Sequence, residues 1–302
     1  MLLSKSSVEG AVLKIDTKCI ICLLGVRESE LERISGDSEL RLKYMVEIMD
    51  CYSELLKRGV KTPAEASTEL FRCLKGITGV EDPRRHEKKV ANTVALKVYR
   101  DLKKKLAELN EKSRLKLAVR ASLVGNAIDL GVAGYSFNLE SIYSEILSLK
   151  LAVDDSWIFE QIEGLEVVFL LDNCGEAVLD RLLAEELEKR GARTTAIVKG
   201  GSFQNDITIK ESDMAGLNES FSRVISTGTD GASVFLDEIS EECKSAIFEA
   251  DLIVSKGMAH FEYLDEIRDR IRKKIVFMLR AKCTPVAEAL KVPLKSYVVK
   301  LI

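Results

Sequence analysis

Beyond Asp154 the sequence changes texture, and that change restricts the fold more than any other feature: short β-rich runs begin to alternate with helical stretches. Residues 167–171, 194–198, 223–226, 252–255, 275–279 and 297–301 are each short, apolar and bounded by Gly, Asp, Asn or a charged residue, which predicts strands. Between the first two runs, Val178, Leu179, Leu182, Leu183 and Leu187 draw an apolar helical stripe that ends at Gly191. A strand, a helix and a strand within about 30 residues imply a parallel crossover, and its repetition predicts a layered α/β domain.

Upstream, residues 38 to about 150 are rich in Leu, Ala, Glu, Lys and Arg, with apolar residues recurring three and four apart, as at Leu42, Met45, Val46 and Met49. That period predicts a stack of helices. Gly76 and Gly79, followed by Asp82 and Pro83, end one helix and begin the next, because glycine relaxes the backbone and proline is tolerated in a first helical turn. Residues 96–109 repeat the helical pattern. The expected fold class is α/β, with a mainly helical portion over 1–153 and an α/β portion over 154–302 that carries the functional site.

A chain of 302 residues, 46% of them hydrophobic, has enough apolar side chains for a sizeable core. Its 45 Lys and Arg nearly balance 48 Asp and Glu, so no strong field favours nucleic acid or an anionic membrane; a small charged metabolite is the expected partner. Residues 1–7 hold one lysine and no signal-peptide core, and no later stretch approaches the roughly 20 apolar residues that span a bilayer. Both observations point to the cytoplasm. Seven cysteines, an odd number scattered along the chain, fit reduced thiols better than a secreted disulfide framework.

In sheets of this kind ligands bind beyond the carboxyl ends of the strands. Asp172, Asn173 and Glu176 follow the first predicted strand; Lys199, Asn205 and Asp206 the second; Gly228, Thr229 and Asp230 the third; Lys256 and Gly257 the fourth; Arg280 and Lys282 the fifth. Two carboxylates and an amide oxygen suit a hard divalent cation such as Mg²⁺ or Mn²⁺, which leaves positions open for water and phosphate. Asp172, Asn173 and Asp206 are therefore the expected metal ligands, although each alone reads equally as a turn residue or helix cap. Glu176 opens the next helix and either orients a water or complements the helix dipole. Lys256 and Lys282 each offer a point charge to a phosphoryl oxygen, against a plain reading as solvated strand ends. Gly228 and Thr229 present backbone N–H groups and a hydroxyl to an anion, or simply make a tight turn. His260 follows Lys256 closely enough to touch a substrate, whereas His86, in a charged run, reads as a solvated helix face.

The sequence lacks the glycine signatures of dinucleotide binding and of P-loop nucleotide hydrolysis. Position 174 is Cys, where phosphatases of the haloacid dehalogenase type keep a second aspartate. Cys19 and Cys22 form a Cys-x-x-Cys beside Lys18 and, with Cys283, make a soft-metal or redox site if folding joins them; without a fourth ligand, buried thiols are the simpler reading. Cys51, Cys73 and Cys243 fall in helical patterns and read as core.

Several segments together resemble the metal-dependent damage-control phosphatases, first catalogued as domain of unknown function 89. They are Leu171-Asp172-Asn173-Cys174-Gly175-Glu176, Val198-Lys199-Gly200 with Asn205-Asp206-Ile207-Thr208, Ala250-Asp251-Leu252-Ile253-Val254-Ser255-Lys256-Gly257 and Leu279-Arg280-Ala281-Lys282-Cys283. Gly79-Val80-Glu81-Asp82-Pro83 and Gly125-Asn126-Ala127-Ile128-Asp129 extend the likeness into the helical half, and Cys19, Cys22 and Cys283 are similar to the stand-alone prokaryotic and archaeal branch. The resemblance implies a helical bundle joined to a Rossmann-like three-layer α/β/α sandwich with a mostly parallel sheet. It also implies a divalent cation (Mg²⁺, Mn²⁺, Co²⁺ or Ni²⁺) on Asp172, Asn173 and Asp206, and substrate contacts from Lys256, residues 258–262 and Lys282. Asn126 and Asp129 are expected to face the cleft between the two portions, with a helix cap or buried hydrogen-bonded pair as the alternative. His260 stands where the family usually has an asparagine, which bears on substrate preference.

The expected activity is hydrolysis of phosphate monoesters of small metabolites such as sugar phosphates, with Asp172, Asn173, Asp206 and Lys256 as the catalytic set. Either a cation-activated water attacks phosphorus, or Asp172 does so directly. A non-catalytic protein that holds a phosphometabolite at the same strand ends is the rival reading, and a thiol-redox or iron–sulfur protein built on Cys19, Cys22 and Cys283 is a third.

Overall fold

The first three helices start on polar caps. In the computed structural model, which describes residues 13–131 and 139–302 and leaves the side chains of 126–131 and 139–141 out of that description, Asp16 caps α1 (Thr17–Ile34) and Asp37 caps α2 (Ser38–Lys57). Thr62 and Glu65 form a capping box that opens α3 (Pro63–Thr78), with Pro63 in the first turn. Gly79 closes α3 with φ 69°, a left-handed conformation that a side chain would strain. Then follow α4 (Arg85–Ala107), α5 (Glu111–Gly131) and α6 (Leu139–Ser148).

The α/β part runs β1 (Leu151–Asp154), β2 (Glu166–Leu170), α7 (Glu176–Glu188), β3 (Arg193–Val198), α8 (Ile209–Ser212) and β4 (Arg223–Ser226). It continues with α9 (Glu241–Glu249), β5 (Leu252–Lys256), α10 (Met258–Ile271), β6 (Lys274–Arg280), α11 (Thr284–Leu290) and β7 (Tyr297–Leu301). All six predicted strands are present. β1 was missed: all of Leu151–Asp154 but its last residue falls within the portion read as helical, yet the strand pairs in parallel with β7 at the edge of the sheet.

The seven strands lie in the order β1-β7-β6-β5-β2-β3-β4. Five run parallel, and β7 turns antiparallel against β6 and carries β1 with it. Side chains alternate between the two faces with period two. Val167, Phe169, Val254, Val276 and Met278 join a core with α4, α5, α6 and α7. Val168, Leu170, Ile253, Ile275 and Phe277 join the opposite core with α9, α10 and α11, reached also by Phe71 from α3. The result is a three-layer sandwich, and helices α4–α6 share one core with the sheet.

Two further readings change. Leu42, Val46 and Met49 are exposed by 67, 52 and 51%, so the apolar period seen in α2 marks its outer face; Ile48 and Tyr52 supply the buried one. Cys51 and Cys73, read as core thiols, form a disulfide joining α2 to α3, because the two helices pack side by side and bring residues 22 apart into register. Among the described residues no helix is long and apolar enough to cross a membrane.

Candidate active site

The chain lays down β2, β3 and β4 in one direction, then returns to place β5 on the other side of β2. The order therefore reverses between β2 and β5, and a crevice opens beyond their carboxyl ends. Asp172 follows β2 and Lys256 ends β5. After β2 the backbone pairs with the segment returning from β3: Ile207 N–H donates to Asp172 O (2.8 Å), Cys174 N–H to Asn205 O (2.9 Å), and Asn173 bridges to Asp206. This short antiparallel patch sets Asp172, Asn173 and Asp206 side by side.

All three are nearly buried, at 9, 7 and 4% exposure. The Asn173 amide donates to Asp172 Oδ2 (2.8 Å) and to Glu176 Oε2 (3.2 Å), so it ties two carboxylates together. Among the described residues Asp206 Oδ2 accepts no hydrogen bond, and Lys199 Nζ stands 3.6 Å away. Burial, then the charges of Asp206 and Glu176, raise the Asp172 carboxyl well above its ordinary range; burial pushes Asp206 up to about 7. Carboxylates that repel one another out of water need a positive charge. Among the described residues no group of three or more His, Cys, Asp or Glu side chains is arranged to hold a metal ion, and the oxygen set here is two carboxylates with one amide.

The lysines divide. Lys256 Nζ is fully buried and donates to Ser122 O (2.7 Å), Ser122 Oγ (2.9 Å) and Asp180 Oδ1 (2.9 Å), with Glu176 Oε1 also at 2.9 Å. Its three N–H groups meet four oxygens, so the phosphate contact expected of it would require breaking one of these. Burial works against its charge, but Asp180 and Glu176 more than offset that and raise its affinity for the proton. Lys282, by contrast, is exposed and close enough to Asp172 for its charge to favour the carboxylate.

Other expected contacts are also committed elsewhere. His260, 2% exposed, has Nδ1 3.0 Å from Ser233 Oγ and Nε2 3.4 Å from Leu171 O, and burial holds its imidazole neutral. It braces the backbone beside Asp172. The N–H groups of Gly228, Thr229 and Gly231 turn onto the hydroxyls of Ser226, Thr227 and Thr229, while Thr229 O accepts from Gly200 and Gly201, so this turn does not offer an anion nest. The Thr229 hydroxyl accepts from Arg72 (3.2 Å) and donates to Glu238 (3.1 Å). Asn126 and Asp129 fall in α5, where their side chains lie outside the described residues. Cys19 and Cys22 share the start of α1, and Cys283 lies at the cap of α11, where burial, more than the charge of Glu262 and of those two cysteines, raises its thiol.

Gly257 completes the crevice. With φ 79°, it occupies a conformation that L side chains rarely adopt, and a Cβ there would overlap the Asp172 carboxylate.

The model of the damage-control phosphatase ARMT1-like domain matches residues 15–298. The chain belongs to that family. A damage-control phosphatase of Archaeoglobus fulgidus is 33% identical over 300 residues, covering 96% of this chain and 100% of its own. One of Pyrococcus horikoshii is 33% identical over 284 residues, covering 93% of this chain and 96% of its own. The crystal structure of a DUF89 family protein from Pyrococcus horikoshii is 32% identical, with a TM-score of 0.84 over 95% of this chain and 98% of that one.

Sequence reasoning named Lys199 only as a strand-end residue and passed over Asp180, Asn92 and Lys88 around this family site. Lys199 is 1% exposed, donates to Ala232 O (2.7 Å) and faces Asp206; its place after β3 was the available signal. Asp180 lies one helical turn from Glu176 on α7, a charged pair inside a leucine stripe. Asn92 and Lys88 come from α4, and no local pattern in that helix announces them.

Proposed function

We propose that this chain is a divalent-cation-dependent phosphatase that hydrolyses phosphate monoesters of small metabolites, sugar phosphates among them, in metabolite damage control in the cytoplasm. One observation carries the reading: two repelling, buried carboxylates, Asp172 and Asp206, meet with the Asn173 amide at the switch point of the sheet, and among the described residues Asp206 Oδ2 accepts no hydrogen bond. Oxygen donors with surplus negative charge in that place fit Mg²⁺, Mn²⁺, Co²⁺ or Ni²⁺. The family membership and the names of the relatives agree with a phosphatase.

When bound, such a cation polarises a phosphoryl oxygen and neutralises charge that develops on it. The remaining chemistry belongs to the chain. Lys282 stands at the accessible rim and offers its point charge to the phosphoryl oxygens. Lys256 neutralises Glu176 and Asp180 from below and so fixes Asn173 through Glu176. His260 stays neutral and steadies the Leu171 carbonyl. Gly257 lets the backbone approach Asp172 closely.

The test is phosphate release from an aryl phosphate and a panel of sugar phosphates, with each cation added or chelated, for wild type and Asp172→Ala. Release that needs metal and is lost in the variant supports the proposal. A wild type inert under every cation yet still binding a phosphorylated metabolite would leave a binding protein instead.

A further inference from the structure

Helix α4 reaches the site from the helical half through one short stretch. Asn92 and Lys88 are four apart and so share a face. Asn92, fully buried, accepts the Gly175 N–H at 2.7 Å, three residues after Asp172 and next to Glu176. Its neighbour Ala91 lies 3.3 Å from where a Cβ on Gly175 would stand, so the helix is pressed onto that turn. Lys88, 1% exposed, reaches Asp82 Oδ2 (2.7 Å) and Glu211 Oε1 (3.0 Å). Glu211 in turn accepts from Thr208 N–H (3.0 Å), two residues after Asp206. One face of α4 thus grips both loops of the site.

Apolar contacts already dock this helix, since Ala95, Val98, Tyr99, Leu102 and Leu106 continue into the shared core. A buried lysine and a buried asparagine whose amide nitrogen makes no hydrogen bond among the described residues add desolvation cost to that docking. Their position beside the two loops gives them a different task. We propose that Asn92 and Lys88 are positioning residues that set the spacing of Asp172 and Asp206 and hence the site's affinity for its cation. This rests on the cation reading above. The two loops hang from different strands, and the clamp from a third element fixes their separation, as outer-shell groups do for metal ligands.

The experiment is Mn²⁺ binding to the metal-stripped full chain, followed by calorimetry and electron paramagnetic resonance, with melting measured in EDTA. Asn92→Ala and Lys88→Met should each weaken binding by roughly 10-fold or more. Asn92→Asp keeps the accepting oxygen and should lose less than about 10-fold relative to wild type, the lower bound of outer-shell effects. Glu211→Gln breaks the Lys88 pair from its more accessible side, and should reproduce the Lys88 loss if Lys88→Met does not fold. Wild-type affinity in Asn92→Ala and Glu211→Gln, with binding lost in Asp172→Ala, would overturn the clamp and leave the cation site standing. Wild-type protein that binds no Mn²⁺ through Asp172 would overturn both.

Discussion

Replacing Lys256 with Met tests the buried network most directly. The ammonium faces two carboxylates at 2.9 Å each and the Ser122 hydroxyl and carbonyl at 2.9 and 2.7 Å, all without access to water. Met fills similar volume but leaves Asp180 with the Ser122 hydroxyl at 2.5 Å and Glu176 with the Asn173 amide at 3.2 Å. Removing one partner of a buried charge pair costs about 3–5 kcal/mol, because the survivors stay desolvated or must take up a proton. For a chain of this size that lowers the melting temperature by roughly 5–15 °C. Urea unfolding at pH 7 in EDTA is the assay, since bound cation would add stability by mass action. The double variant Lys256→Met with Asp180→Asn removes the stranded charge, and should recover about 1–3 kcal/mol relative to additivity. Lys256→Met within about 1 kcal/mol of wild type, with additive effects in the double variant, would refute the network and return Lys256 to the open site.

Three more outcomes are expected. Reducing the Cys51–Cys73 disulfide, or Cys51→Ser, should lower unfolding stability by about 3 kcal/mol, the chain-entropy value for a closed loop of 22 residues, seen as a melting shift between oxidised and reduced protein. Glu262 is 9% exposed, and burial pushes its carboxyl from 4.5 up to about 8. The folded chain binds that proton more tightly than the unfolded one, so the stability it contributes is complete below pH 4.5 and lost as pH rises through 8. Glu262→Gln should therefore melt like wild type at pH 4 and increasingly above it towards pH 9. Gly257→Ala meets both the left-handed backbone and the Asp172 carboxylate; it should cost about 1–3 kcal/mol in thermal unfolding and abolish cation-dependent phosphate release.

The sheet was legible because its strands are buried on both faces and read as apolar runs punctuated by turn residues. β1 escaped because four residues following a helix, half-exposed and alternating, carry too short a signal. The α2 stripe misled for the opposite reason: period identifies a helix, but which face is buried depends on neighbours, and here Ile48 and Tyr52 meet them. For the site, position at strand ends sufficed to gather Asp172, Asn173 and Asp206, since topology alone brings those ends together. It did not tell where a side chain at a strand end is directed. Lys256, His260 and Thr229 sit where expected but are tied to Ser122 and Asp180, to Leu171 and Ser233, and to Arg72 and Glu238. Those partners come from distant segments that no local pattern links. The disulfide is of the same kind, fixed by how α2 lies against α3.

The reversal of β7 against β6 leaves the sheet with unusual margins. Its outermost strands, β1 and β4, are the shortest at four residues each, against seven in β6. Register slips within β1 between Leu151 and Val153, and β4 opens on Arg223, which is paired to Glu242 at 2.6 Å. Unpaired strand edges are where one chain recruits another into a growing ribbon. Margins this brief, one of them kinked and the other charged, give an arriving strand little to lengthen against. Concentrated solutions of the folded protein should consequently resist edge-to-edge aggregation.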